Sequence, residues 1–429
     1  MISHKAVFVI KTIGFVGENM ETRNLLNKIA GYQDAMIALQ AELVKRPAMG
    51  PENGGDGETG RAEFLIGYLK KQGFAEPVVY NVPDARVSTG SRPNLAVKIP
   101  GKRRDKTLWF MAHMDVVPAG DLGMWDSEPF VMRREGDRLI GRGVEDNQQG
   151  LVSALFAMKA FIDLNVIPPL NLGLLLVADE ETGSRYGIDG VVKLFPDIFG
   201  PNDEFVVPDA GAPDGTMVEV AEKGILWLRV TTKGKQCHAS TPELGVNAFR
   251  AASRLVTMLD GLHQEFDEKD PVFDPPISTF EPTKKEANVD NVNTIPGMDV
   301  FYLDCRVLPG TPLDDVLTAV RRMADQVEQE VGVSIQLEEV QREDAVPPTS
   351  VDASVVQVLM EGIKQVYQVE PKAQGIGGGT VAAFLRRHGY PAVVWSRLDD
   401  LAHQPNEYCL ISNMVSDAKV MTLLAARMR

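Results

Sequence analysis

The sequence predicts an α/β protein in which helices cover both faces of a mixed sheet, with a small βαββαβ module inserted into it. Four short runs are rich in β-branched and large apolar residues and end in polar groups, as buried strands do: residues 107–117, 172–178, 204–208 and 390–396. Helical patterns lie between these runs, and alternating strands and helices indicate a sheet covered on both sides.

One helical pattern is clear in residues 150–165, where Leu151, Leu155, Met158 and Ile162 fall on one stripe. Another helix begins near Glu21. Residues 1–19 contain a short apolar run that Lys11 interrupts, and no small-residue cleavage site follows. This start is therefore either a weak signal-peptide candidate or a loose extension.

Residues 217–343 follow a different order and predict the inserted module. The strand "ILWLRVTT" precedes a helix at residues 247–262, and the strands "ISTFEPT" and "MDVFYLDCRV" follow. A second helix, capped by Thr311 with Pro312 in its first turn, leads to the strand "VSIQLEEVQ". Pro- and Gly-rich joints border the module. The predicted domains are residues 1–216 and 344–429 for the main domain and 217–343 for the insert.

Composition excludes some partners and indicates a compartment. The 429 residues include 44 basic and 59 acidic ones, and the net charge is -15, which argues against binding to nucleic acid or to an anionic membrane. No segment is long and apolar enough to span a bilayer. The three cysteines lie far apart and form no CxxC pair, so we expect a reducing, cytoplasmic location.

Ionisable residues collect where the predicted strands end. In "AHMD", His113 and Asp115 are two residues apart, so on a strand both point to the same side. Asp115 would then accept the ring N–H of His113, as the partner of a metal-bound histidine does. A polar pair at a strand end is the equally weighted alternative.

The other groups are ambiguous when each is taken alone. Asp146 in "IGRGVEDNQQG" precedes a helix, where an N-cap is the ordinary interpretation. The acids of "LLLVADEETG" suit a solvated loop as well as a cation site. Asp209 follows the run "FVV", and His403 lies in the loop "LDDLAHQPNEY".

Taken together, these positions predict a metal centre, because ligands of open α/β sheets bind outside the carboxyl ends of the strands. The expected ligands are His113, Asp146, Glu181, Asp209 and His403. Two imidazoles and three carboxylates suit zinc-like ions better than calcium or magnesium. Three carboxylates and one hydroxide balance the charge of two divalent cations if one carboxylate bridges them.

The sequence resembles the dinuclear-zinc exopeptidases and deacylases, which include glutamate carboxypeptidases, acetylornithine deacetylase, succinyl-diaminopimelate desuccinylase and aminoacylases. The resemblance runs from about Leu25 to the C-terminus. It rests on ten motifs in the order of that family: "AHMDVVPAG", "WDSEPF", "GRGVEDNQQG", "DEETGS", "KGILWLRVTTKGKQCHAS", "GVNA", "NTIPG", "DCRVLPG", "GGGT" and "AHQPNEY". Ten ordered matches are far more specific than any single motif.

The resemblance implies a role for each ligand. Asp146 would bridge two cations, zinc first, with cobalt or manganese as alternatives. His113 and Asp209 would complete the shell of one cation, and Glu181 and His403 that of the other. The family often has a cis peptide bond after the bridging aspartate, which here is Asp146–Asn147.

The resemblance also implies the catalytic groups and the substrate site. Glu180 would be the general base of a metal-bridging water, with Asp115 beside His113. The insert would be the lid that forms a homodimer, and its His238 would stabilise the oxyanion in the partner's site. Asn293, Arg306 and the loop of Gly378 and Thr380 would hold the substrate, the planar fork of Arg306 binding its carboxylate with two hydrogen bonds.

The implied activity is hydrolysis of an amide bond in a small peptide or an N-acyl amino acid with a free carboxylate. Two alternatives stay open: a catalytically inactive relative that binds or assembles, and an aminopeptidase with the same class of metal site. The chain departs from the family near Gln149, where a lysine is frequent, and at Val381, where an acidic residue or a serine is frequent.

Overall fold

The computed structural model describes residues 20–429, and the predicted N-terminal extension lies outside this part of the chain. The helices are α1 Met20–Ala30, α2 Gln33–Val44, α3 Thr59–Lys71, α4 Gln148–Asp163, α5 Ile188–Leu194, α6 Ala248–Leu259, α7 Leu262–Glu265, α8 Leu313–Val331, α9 Ser354–Tyr367, α10 Ala382–Arg387 and α11 Ile411–Arg427. Among these helices of the described chain, none combines the length and the apolar composition that a bilayer crossing requires.

The strands form one large sheet and three smaller ones. They are β1 Val78–Pro83, β2 Ser91–Ile99, β3 Arg103–His113, β4 Arg133–Glu135, β5 Arg138–Ile140, β6 Leu170–Val177, β7 Glu204–Gly211, β8 Met217–Glu222, β9 Gly224–Lys233, β10 Cys237–His238, β11 Thr279–Lys285, β12 Thr294–Ile295, β13 Met298–Val307, β14 Ser334–Glu343, β15 Lys372–Ile376, β16 Ala392–Ser396 and β17 Tyr408–Leu410. The large sheet has the order β1-β2-β6-β3-β7-β16-β8-β15.

The large sheet is mixed and buried on both faces, which confirms the predicted fold class. Its central strand β3 runs parallel to β6 and to β7, so the carboxyl ends of these three strands lie at one edge. Leu108 and Phe110 pack into a core with α4 and α11, while Trp109 and Met111 pack into a second core with α5 and α10 on the other face. Alternate residues of one strand thus join two cores, as a sheet between two helical layers requires.

The first predicted strand is too long at its end, because β3 stops at His113. Beyond it the backbone leaves the ladder: the N–H of Met114 still donates to Val177 O, but that of Val116 donates to Ala48 O. The carbonyl of Met114 accepts from the buried guanidinium of Arg61. Asp115 therefore follows the strand instead of lying on it.

The second sheet has the order β11-β13-β9-β14 and is antiparallel throughout. With α6 and α8 it gives the predicted βαββαβ order. One face of β9 and β13, including Leu228, Val230, Leu303 and Cys305, packs against these two helices in a separate core. The opposite face carries no helix of this core.

Two details of the insert differ from the sequence-based expectation. β8 pairs within the large sheet, so the first border of the proposed insert moves from residues 216/217 to Lys223, between β8 and β9. Thr311 does not cap α8, because the position before the helix is Pro312 and no side chain caps it. The capped helix is α6, where Asn247 accepts from the N–H of Arg250.

Candidate metal centre

Five segments of the chain bring the predicted ligands together at the carboxyl edge of the large sheet. His113 ends β3, and Asp209 lies near the end of β7. Glu181 lies in a short 3-10 turn after β6, and Asp146 precedes α4. His403 lies in the loop between β16 and β17, where its φ of 65° is in the left-handed region.

Asp146 lies between the two imidazoles. Its Oδ1 is 2.8 Å from Nε2 of His113, and its Oδ2 is 3.4 Å from Nε2 of His403. Nε2 of His113 is also 3.4 Å from Oδ1 of Asp209, and Nε2 of His403 is 2.9 Å from Oε2 of Glu181. The cluster thus has two halves that share one carboxylate. The peptide bond Asp146–Asn147 is cis, which confirms the expectation from the resemblance.

Asp115 contacts His113, but not in the way that the sequence predicts. The Nδ1 of His113 is 3.1 Å from the backbone oxygen of Asp115 and 3.4 Å from its Oδ1. The carboxylate instead accepts the N–H groups of Glu180 at 3.1 Å and Glu181 at 3.0 Å. Asp115 therefore orients the turn that carries both glutamates. A carbonyl acceptor at Nδ1 leaves Nε2 of His113 facing the cluster.

Glu180 lies at the centre without being hydrogen-bonded to either histidine. Its Oε2 is 3.9 Å from Nε2 of His113, and about a fifth of its side chain, 21%, remains exposed. Its neighbour Glu181 is only 4% exposed, and its Oε2 contacts Nε2 of His403. The two adjacent carboxylates therefore differ in surroundings, one being bound to an imidazole and the other free toward solvent.

The pKa values at the centre show how strongly negative charge accumulates there. Burial would lower the pKa of His113, but the charge of Asp209 and hydrogen bonds to carboxylates outweigh it and raise that pKa. Hydrogen bonds to Asp146 and Glu181 raise the pKa of His403 to about 10. Burial, followed by the charge of Asp209, raises the pKa of Glu180. Protons on the imidazoles thus balance a charge that a divalent cation would otherwise balance.

The donor set fits borderline divalent cations. Ligand atoms of His113, Asp146 and Glu181 lie within 4.8 Å of one another, as do those of His113, Glu180 and Asp209. Imidazole nitrogens combined with carboxylate oxygens suit zinc, cobalt or manganese better than calcium or magnesium. Asn147 supports one half, because its amide donates to Asp209 Oδ1 and, at 2.8 Å, to Pro208 O.

Two buried glutamates were not predicted from the sequence. Glu145 accepts two N–H groups of the loop before His403, and Glu407 accepts three N–H groups around Asp146. Each lies within four residues of a predicted ligand in the sequence. This proximity could have indicated that both glutamates belong to the surroundings of the centre. Sequence alone does not show which carboxylates accept backbone N–H groups from a distant segment.

The predicted substrate residues lie in two groups outside the cluster. His238 on β10 is exposed, with its ring contacting Ser240 Oγ at 2.7 Å and the amide of Asn293 at 3.3 Å. Among the contacts of residues 20–429, none joins His238 or Asn293 to the metal cluster of the same chain. These two residues therefore lie together and form a group of their own.

Arg306 and the glycine-rich loop form the other group. Nη1 of Arg306 donates to Gly377 O at 2.8 Å, beside Gly378, and Thr380 donates to Glu222 through both its N–H and its hydroxyl. The fork of Arg306 is already occupied, since Nε and Nη2 donate to the two oxygens of Asp304 at 2.7 and 3.0 Å. The expected two-bond contact of Arg306 with a substrate carboxylate therefore stays a prediction, and it would have to use the remaining N–H groups of Nη1 and Nη2 or displace Asp304.

Comparison with known proteins agrees with this geometry. The sequence pattern of the peptidase family M20/M25/M40 matches residues 109–427. The chain belongs to this family. The predicted resemblance is confirmed, and this M20-family protein is a metallohydrolase in which His113 and neighbouring acids lie close enough together to hold a metal ion.

Three relatives illustrate what the M20-family chain is similar to. An uncharacterized metallohydrolase of Methanocaldococcus jannaschii is 39% identical over 402 residues, which are 90% of this chain and 97% of that protein. A succinyl-diaminopimelate desuccinylase of a Sulfurovum species is 27% identical over 303 residues, 70% of this chain and 78% of that protein. An aminopeptidase of Bacillus cereus shares the fold, with a TM-score of 0.72, 18% identity and coverage of 92% of this chain and 98% of that one.

Proposed function

We propose that the protein hydrolyses the amide bond of a small peptide or an N-acyl amino acid that carries a free carboxylate. One observation carries this proposal: five ligand-type side chains converge in two halves that share Asp146, and Glu180 remains uncommitted beside them. A binding or assembly protein has no need of an uncommitted carboxylate at such a centre. We therefore favour the enzyme over the catalytically inactive alternative.

Two divalent cations, zinc first, fit this arrangement. His113, Asp209 and Asp146 would hold one, and Glu181, His403 and Asp146 the other. When bound, such a pair supplies a water of lowered pKa and polarises the scissile carbonyl. Asp115 keeps Nε2 of His113 directed at the centre and keeps both glutamates in place.

Glu180 is the proposed general base and acid. Its carboxylate lies beside the cluster without a hydrogen bond to either histidine, so it is free to exchange a proton with a bound water. It would take a proton from the attacking water at Oε2 and pass it to the nitrogen of the departing amine. An amide leaving group needs such a proton, because it departs poorly as an anion.

The substrate carboxylate is assigned to the region of Arg306 and the loop of Gly378 and Thr380. Arg306 pairs with Asp304 through Nε and Nη2 and donates from Nη1 to Gly377 O, so one N–H of Nη1 and one of Nη2 remain for the carboxylate. His238 and Asn293 would complete the site of a second copy in a homodimer, since they do not reach the cluster of their own chain. The desuccinylase among the relatives supports an N-acyl amino acid as substrate.

The aminopeptidase alternative keeps one supporting observation. Because Asp304 occupies two donors of Arg306, the pair is less cationic than a free arginine and binds a carboxylate less strongly. An aminopeptidase would cleave peptides with a free amine and leave N-acylated substrates intact. Cleavage of N-acylated substrates therefore distinguishes the proposed function from an aminopeptidase.

The test is amine release from dipeptides and from N-acetyl-, N-succinyl- and N-carbamoyl-amino acids, measured with and without added zinc. We expect zinc-dependent cleavage of at least one N-acyl compound or dipeptide with a free carboxylate. Glu180→Gln should lower kcat by about 10²–10⁴-fold while cation binding is retained. Absence of cleavage by the zinc-loaded wild type, or a fully active Glu180→Gln variant, would contradict the proposal.

A further inference from the structure

Two buried glutamates lie close in sequence to the proposed ligands Asp146 and His403. In the fold, each of them contacts the segment that carries the other ligand. Glu145 directly precedes Asp146, and Glu407 follows His403 by four residues. Their exposed fractions are 3% and 1%. Buried carboxylates are costly unless their oxygens are hydrogen-bonded, so the partners of these two groups matter.

Glu145 holds the loop that leads to His403. Its Oε1 accepts the N–H of Asp399 at 2.7 Å, and its Oε2 accepts the N–H of Leu401 at 2.6 Å. Asp400, between these two donors, has a φ of 63°, and His403 has a φ of 65°. Residues other than glycine rarely adopt this left-handed region, so the loop conformation depends on contacts that hold it.

Glu407 holds the turn that contains Asp146. Its Oε2 accepts the N–H of Gly143 at 2.9 Å and Nη1 of Arg142 at 2.7 Å. Its Oε1 accepts the N–H of Glu145 at 2.9 Å and that of Asp146 at 3.2 Å. The segment after His403 thus fixes the Asp146 turn, while the residue before Asp146 fixes the His403 loop.

We propose that Glu145 and Glu407 form a reciprocal clasp, in which each segment that carries a cation ligand supplies the carboxylate that holds the other. Both are positioning residues, because neither faces the cluster. The clasp rests on the proposed ligand roles of Asp146 and His403. It adds that the half of the centre containing Glu181 and His403 depends on Glu145, which holds the loop that carries His403.

The chemistry of the side chain makes the clasp testable. Each oxygen of Glu145 accepts a separate backbone N–H, and a glutamine would turn its NH₂ group toward one of these donors. The variant Glu145→Gln should therefore release the His403 loop and leave His113 and Asp209 in place. Loss of a group that orients a metal ligand typically weakens metal binding by about 10–100-fold.

The experiment is equilibrium dialysis of chelator-stripped protein against Zn²⁺, repeated with Co²⁺, whose visible absorption reports coordination. We expect the wild type to bind two cations, and Glu145→Gln to bind one as tightly as the wild type and the other about 10–100-fold more weakly. Two cations bound by Glu145→Gln with unchanged Kd would overturn the clasp. A wild type that binds fewer than two would overturn the proposed centre itself.

The matched control is Asp203→Asn. Asp203 is also buried and accepts N–H groups, from Thr107 at 2.7 Å, Trp109 Nε1 at 2.8 Å and Gly200 at 2.9 Å, but none of these donors belongs to a proposed ligand or to the His403 loop. We expect this variant to lose stability and keep both cations. Equal loss of the second cation in both variants would overturn the clasp, because a general loosening of the fold would then explain the effect.

A second measurement serves if Glu145→Gln does not fold. Hydrogen exchange of the wild type, before and after chelation, reports the amides of Asp399 and Leu401. Because Glu145 holds these amides within the chain itself, we expect both to exchange slowly even after the cations are removed. Protection that vanishes on chelation would show that the cation, and not Glu145, positions the loop.

Discussion

At the scale of single residues, Asp146 sets the shape of the centre, because its two oxygens face different histidines. Asp115 and Glu145 then fix the backbone that carries other groups of the centre, since Asp115 accepts the N–H groups of Glu180 and Glu181 and Glu145 holds the loop before His403. The ligands themselves were predictable, since residue type and position after a strand suffice to indicate them. Their supports were not, because they depend on which backbone N–H groups a distant segment presents.

Asp417 gives a residue-scale prediction of pH dependence. Burial raises its pKa to about 6, although Ser396, Tyr367 and Gln149 all donate to it. A folded-state pKa above the unfolded value means that the native state binds the extra proton, so stability falls as pH rises from about 4 to about 6.

The variant Asp417→Asn removes this titration. A shift of about two pKa units corresponds to about 3 kcal/mol, so the free energy of unfolding of the wild type should fall by roughly that amount relative to Asp417→Asn across this range. Urea unfolding at about pH 4 and about pH 6.5 measures the difference. A difference that does not change with pH would contradict the assigned pKa.

At the scale of elements, the parallel strands β3, β6 and β7 place the ligands at one edge of the sheet. These strands were predictable because both of their faces are buried and their sequences are continuous apolar runs. β1 and β2 were not predicted. β1 is mostly exposed, and β2 contains the buried Arg92, whose charge breaks the apolar pattern and pairs with Glu58.

Gly173 on β6 gives a prediction at this scale. A Cβ there would lie 2.2 Å from Cε3 of Trp109 on the neighbouring β3, and Trp109 is fully buried with its Nε1 bonded to Asp203. Since the ring has no room to move, Gly173→Ala should lower the free energy of unfolding by about 1–3 kcal/mol.

The control for this effect is Gly67→Ala in α3, where an added Cβ meets nothing within 4 Å. Alanine in an open helix position should raise stability by about 0.4–1 kcal/mol. Urea unfolding of both variants checks the pair. Equal stabilities of Gly173→Ala and the wild type would show that the sheet accommodates the methyl group.

At the scale of the whole molecule, no contact within residues 20–429 joins His238 to the cluster of its own chain, so its proposed role at the oxyanion implies a homodimer. Sedimentation should show a dimer, and His238→Ala should lower kcat by about 10²–10³-fold if the histidine stabilises the oxyanion. A monomer with full activity would contradict the role of His238 in the partner's site.

Mixing the inactive variants tests the same arrangement more sharply. In a two-fold dimer of one Glu180→Gln chain with one His238→Ala chain, one of the two sites has both Glu180 and His238. About half of the dimers are of this mixed kind when equal amounts of the variants exchange at random, so roughly a quarter of the wild-type activity should return. The unmixed variants are the controls. No recovery, despite shown subunit exchange, would place His238 outside the partner's site.

The most direct test of the account is anomalous scattering from crystals of the protein grown with zinc. The account predicts two peaks about 3.5–4 Å apart on either side of Asp146, one beside His113 and Asp209 and the other beside Glu181 and His403. A single peak at full occupancy, or peaks that do not share Asp146, would contradict it.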